Sequence, residues 1–126
     1  MKLKIKKNIP LIDQHDKHFM YGGKFGGNFI PETLKKPIDD LTKLFARLRE
    51  DKKFLNERDR YFKSYVGAPT PFIKLENLTD HLGGAQIYAK VVSEANGGAH
   101  KIYNATVHCL IAKKAGKKYV VGDTGA

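Results

Sequence analysis

The stretch that decides the fold class starts at Gln86-Ile-Tyr-Ala-Lys-Val-Val92, passes through Gly97-Gly-Ala-His-Lys101 and ends at Lys118-Tyr-Val-Val-Gly122. Its first segment is β-favouring and partly alternating, the pattern of a strand over 86–92. Residues 93–99 read as a loop that runs through the Gly97-Gly98 pair. From His100 to Ala115 the residues Ile102, Ala105, Cys109 and Ala112 recur at helical spacing and predict a helix. Gly116 suits its C-cap, and Lys113 and Lys114 suit the negative end of its dipole. Residues 118–122 then read as a second strand. Strand, glycine-rich loop, helix and strand form a βαβ unit, which predicts parallel pairing of 86–92 with 118–122 and an α/β fold class.

Upstream, Pro31 and Glu32 are good first-turn residues. Ile38, Leu41, Phe45 and Leu48 form one apolar stripe, so a helix is predicted over about 31–50. A second stripe, Phe54, Arg58, Tyr61, Phe62 and Tyr65, predicts another over about 52–65. Both stripes are expected to face a core. Gly67-Ala-Pro-Thr-Pro71 forces an extended turn. Phe72 to Leu78 reads as a short strand or turn, and Leu82-Gly-Gly84 as a loop. Residues 1–30 lack periodicity and predict an irregular arm, whose Phe19, Tyr21, Phe25 and Phe29 suggest docking on its own domain.

The chain has 126 residues, with 23 Lys plus Arg against 13 Asp plus Glu, a formal charge of +10. Hydrophobic residues at 41% allow a folded core. The lone Cys109 excludes an intrachain disulfide and a multi-cysteine zinc cage. His15, His18, His81 and His108 show no metal-ligand spacing on one element. No apolar run approaches the roughly 20 residues of a membrane span. MKLKIKK is not followed by the apolar stretch of a signal peptide, so a soluble, cytoplasmic protein is expected. Positive charge favours phosphate contact, but the cations are spread over 2–7, 35–60 and 113–118, mostly where solubilising charge belongs.

The most loaded constellation is Gly97-Gly-Ala-His-Lys101. Glycines let backbone amides approach an anion, and a helix N-terminus favours negative charge. A first-turn lysine beside such a site could serve as an imine-forming amine. On spacing alone, an ordinary glycine-rich turn followed by a solvated lysine remains the alternative.

Five ordered segments carry a resemblance that covers about residues 19–126. Phe25-Gly-Gly-Asn-Phe-Ile-Pro-Glu32, Tyr65-Val-Gly-Ala-Pro-Thr-Pro71, Gly97-Gly-Ala-His-Lys101, Cys109-Leu-Ile-Ala-Lys-Lys-Ala-Gly-Lys117 and Gly122-Asp-Thr-Gly-Ala126 resemble the amino-terminal part of the tryptophan synthase β family. That family belongs to the fold-type II pyridoxal-phosphate enzymes. The resemblance implies Lys101 as the cofactor-holding lysine, with His100 against the phosphate and Asn104 beside the cofactor. It implies Asp123 in the place of a proton-handling glutamate, and Thr124, Gly125 and Ala126 as the start of the substrate-carboxylate loop. The implied reaction is β-replacement, L-serine plus indole giving L-tryptophan and water, a lyase step of tryptophan biosynthesis. An α chain and a second β chain are the implied partners, with no nucleic acid and no membrane.

The chain departs from the family pattern at Val91 and Val92, where an arginine and an acid are usual, at Tyr103, where a polar residue is usual, and at Asp123. It ends shortly after Gly122, and two parallel strands bury too little sheet. The expectation is an incomplete domain: an arm over 1–30 and a partial, truncated pyridoxal-phosphate-binding domain over 31–126, inactive alone. Two other readings are a catalytically dead remnant that associates with an α-type subunit, and a small basic nucleic-acid binder using the arm's aromatics.

Overall fold

The computed structural model describes residues 6–123. They form two compact units, Met1–Asp39 and Asp40–Ala126, with helix α1 (Glu32–Leu48) running through the boundary.

In the first unit, strands β1 (Met20–Tyr21) and β2 (Phe25–Gly26) pair antiparallel, Met20 opposite Gly26 and Tyr21 opposite Phe25. Asp16 organises the approach to this hairpin. Its Oδ1 accepts from the His18 amide at 2.8 Å and from the Met20 amide at 3.0 Å. Those bonds, Met20 foremost, hold the Asp16 carboxyl below its ordinary value. The Tyr21 hydroxyl donates to the Ile12 carbonyl at 3.0 Å. Two-residue strands carry no period to read, so the sequence shows only an irregular arm here.

The second unit is built on α2 (Lys52–Tyr61) and α4 (Lys101–Lys114). Asp51 caps α2, its side chain accepting from the amides of Lys53 and Phe54. The helix continues as one π-helical turn, Phe62–Val66, and stops at Gly67, whose φ is +81°. At the far end of α4, Gly116 N–H donates to the Lys113 carbonyl and Lys117 N–H to the Ala112 carbonyl. This paired closure satisfies the last carbonyls of the helix.

The buried cluster is Leu48, Phe54 and Leu110, with Leu44, Leu55, Tyr61, Val107 and Ile111 packed against it. Two expected stripes therefore turn out differently. On α1 only Leu48 of the expected stripe is buried, while Ile38, Leu41 and Phe45 are exposed. On α4 the packed side chains are Val107, Leu110 and Ile111 rather than the face through Ala105 and Cys109, both exposed. A helix apolar on nearly every side offers several possible faces, and its neighbours choose among them.

Strands β3 (Phe72–Lys74) and β4 (Tyr88–Lys90) pair antiparallel, with Phe72 opposite Lys90, Ile73 opposite Ala89 and Lys74 opposite Tyr88. Helix α3 (Glu76–Leu82) connects them, and Thr79 Oγ1 accepts from the Ile87 amide at 3.0 Å. The mixture of helix and strand agrees with the α/β expectation, but the parallel βαβ unit does not form among the described residues. β4 takes its partner from upstream, where the Phe72 ring stacks on Tyr88 at 5.1 Å and 10°. Residues 118–122 form no strand, and Tyr119 and Val121 are 87% and 91% exposed. A strand is defined by its ladder, and a β-favouring run without a partner stays irregular.

Glu57 of α2 links to α4 through Lys114 at 3.2 Å and Lys113 at 3.4 Å. Hydrogen bonds from Lys114, then Lys113, hold its carboxyl below the ordinary value of 4.5, against a smaller opposing effect of desolvation. The folded state thus binds the proton less readily. The stabilisation is complete above the ordinary glutamate range and is lost as pH falls through that range towards the lower folded value. Urea midpoints followed from about pH 7 to about pH 3 should fall less steeply in Glu57→Gln than in the parent chain. Equal slopes would show that these exposed lysines contribute nothing.

Candidate functional site

From β4 the chain turns through Val92–Glu94 and buries Ala95 to 3% exposure. The Asn96 amide then donates to the Val66 carbonyl at 2.9 Å, and the Gly98 amide to the Ala95 carbonyl at 2.8 Å. Gly97 and Gly98 follow with φ of +85° and +72°. A Cβ at either would meet nothing within 4 Å. The glycines are therefore required by backbone conformation, and the space in front of them is open.

His100 sits at the N-cap of α4 with helical torsions and no side-chain cap, and Lys101 is the first helical residue. Both are exposed, as is Asn104. Lys101 and Asn104 stand three residues apart on one helix face. The positive end of the α4 dipole lies beside the lysine, so an anion is favoured there. The turn thus offers an accessible amine next to an unobstructed backbone.

Asp123 is exposed at the edge of the described residues, and no hydrogen bond or ion pair links it to Lys101. Thr124, Gly125 and Ala126 lie outside the described residues. Tyr103 is directed into packing, its ring meeting Phe62 edge-on at 5.4 Å and 80°. Val91 and Val92 are half-buried, and the Val91 amide donates to the Pro71 carbonyl at 2.9 Å. An open apolar groove of about 350 Å³ runs along α4, lined by Tyr61, Tyr65, Ile102, Ala105 and Cys109 among others. Lys101 is not among the residues that line it.

Sequence reading passed over Val66 and Thr70. Val66 has 0% exposure and supplies the carbonyl that receives Asn96. Thr70 is buried to 3%, its Oγ1 has no partner, and its carbonyl accepts from Lys90 Nζ. The segment was legible as a proline-forced turn and as one of the resembling stretches, Tyr65–Pro71, but neither signal marks Val66 or Thr70 as buried.

Gly98→Ala should lower stability by about 1 kcal/mol, because an L-residue must adopt left-handed torsions there. Gly84→Ala is the control: its φ is not left-handed, and a Cβ would meet only the Leu82 carbonyl at 3.9 Å. Urea midpoints of the two variants check the contrast, and equal midpoints would contradict it.

No family model matches the chain. Over 106 residues, 84% of its length, the chain is 42% identical to the tryptophan synthase beta chain of Fusobacterium nucleatum subsp. nucleatum. The match covers 27% of that protein, so the chain spans about a quarter of its relative's length. With its Gly97–Lys101 turn at the head of α4, the chain is thus similar over most of its length to a part of a tryptophan synthase beta chain.

Proposed function

We propose that this chain carries the cofactor-lysine portion of a pyridoxal-phosphate-dependent β-replacement enzyme, one that joins L-serine and indole into L-tryptophan with release of water. The observation that carries the reading is Lys101 itself: an exposed first helical residue directly after an open Gly97-Gly98 turn, in a chain 42% identical to a tryptophan synthase beta chain. The residues present fit one end of the cofactor. Lys101 offers the amine for covalent attachment of an aldehyde, and the open turn admits an anionic phosphate beside His100.

Bound there, pyridoxal phosphate supplies an electron sink for negative charge at the substrate α-carbon. Lys101 Nζ holds the cofactor and moves the α-proton. Asn104, one turn further along α4, lies on the cofactor side of the helix. Asp123 moves the proton that accompanies loss of the serine hydroxyl. Thr124, Gly125 and Ala126 begin the carboxylate-binding loop. Partners in this reading are an α chain and a second β-type chain.

Lys101 and Asp123 are both open to water, whereas proton transfer at a carbon needs a site that excludes it. The 126-residue chain alone is therefore expected to give no tryptophan from serine and indole above background. Pyridoxal phosphate should nevertheless label Lys101 ahead of the other lysines. Borohydride trapping with peptide mapping, in the parent chain and in Lys101→Ala, checks this. Label spread evenly over surface lysines would overturn the assignment.

A second reading, an association module for an α-type subunit, is favoured by the exposed apolar side chains Leu41 and Phe45 of α1. Calorimetric titration with a tryptophan synthase α chain should show binding that Phe45→Glu weakens about tenfold. Absence of heat with the parent chain would remove this reading.

A further inference from the structure

Lysine heads ordinarily reach for water while their stems cover apolar surface. Lys90, the last residue of β4, is exposed overall, yet its Nζ donates to the Thr70 carbonyl, twenty residues upstream. The acceptor belongs to a residue only 3% exposed whose own hydroxyl is unpartnered. A charge-assisted bond to a buried carbonyl is a stronger tie than a neutral one.

Two backbone bonds run beside it. Val91 N–H donates to the Pro71 carbonyl and Asn96 N–H to the Val66 carbonyl, each at 2.9 Å. The backbones also come close at Gly67, where a Cβ would lie 4.0 Å from the Glu94 carbonyl oxygen. Residues 90–96 are thus laced to residues 66–71 immediately before the Gly97-Gly98 turn. Downstream, α4 is held to the same stretch of chain, since Tyr103 packs on Phe62 of the π-helical turn that ends at Val66. Lys101 lies between these two attachments.

We infer that Lys90 is a positioning residue for Lys101. Its bond to the Thr70 carbonyl fixes the 66–71 segment against the strand end that launches the glycine turn, and so sets where the Lys101 amine points. This role rests on the proposed cofactor attachment at Lys101.

The test uses the full chain as parent, Lys90→Met and Lys90→Arg, with two readouts. The first is the ratio of borohydride-trapped pyridoxal phosphate on Lys101 to that on Lys117. The second is hydrogen exchange at the Asn96 amide, with the Leu110 amide as an internal control, and it needs no cofactor. Lys90→Met should lower the labelling ratio about tenfold, since small misplacements of a reacting group are costly. It should also speed exchange at Asn96 and leave Leu110 unchanged. Lys90→Arg, whose guanidinium can reach the same carbonyl, should restore both. An unchanged labelling ratio in Lys90→Met overturns the inference, and so does unchanged exchange at Asn96. Loss of protection throughout the chain also overturns it, by making Lys90 a residue of the fold at large. Even labelling in the parent chain would instead defeat the reading of Lys101, so the two failures are distinct.

Discussion

The Val66 carbonyl accepts the Asn96 amide at 2.9 Å, and Val66 itself is fully enclosed. That contact ties the approach to Lys101 to the end of the preceding helix. Val66 closes the π-helical turn that extends α2, and Asn96 opens the glycine turn that leads into α4. One hydrogen bond therefore relates the end of one helix to the beginning of the other. Its value lies in burial: a backbone carbonyl enclosed without a donor would cost far more than the bond's modest net gain. Thr70 and Ala95, each 3% exposed, enclose the same junction from the two sides of the sequence.

The α2–α4 contact below this junction is held by different physics. Phe54 and Leu110 bury apolar surface with Leu48, while Glu57 reaches the last turn of α4 through Lys113 and Lys114. The cluster is small, and ion pairs with exposed lysines contribute little. Much apolar surface is left open at the same time, including Ile38, Leu41 and Phe45 on α1 and the aliphatic run near Val121.

The departures from the family pattern acquire physical meanings in this setting. Val91 and Val92 are half-buried where a charged pair would need polar partners. Tyr103 gives its ring to Phe62, an edge-to-face contact worth more than area alone. At both places the side chains of this chain take part in packing next to the glycine turn. Lys90 keeps its charge and directs it at a backbone carbonyl.

The residues alone determined the helices over α1, α2 and α4 to within a few positions, through end signals such as Pro31 and Gly116 and through 3.6-residue periodicity. They also determined the Gly97-Gly98 turn ahead of Lys101, because left-handed torsions in succession demand glycine whatever lies nearby. Partnership is what only the tertiary structure decided. The strand at 88–90 pairs antiparallel with Phe72–Lys74 rather than parallel with 118–122, because the Phe72–Tyr88 stack and the ladder beside it exist only once the chain has folded back. The buried face of α4 was likewise open in the sequence, since Ala105 and Cys109 form an apolar stripe beside that of Val107 and Ile111, and the choice fell to Phe54 and Leu48. Val66, Thr70 and Lys90 gave no periodic signal at all: hydrogen bonds between residues twenty or thirty positions apart depend on where the chain returns, and local pattern does not encode that return.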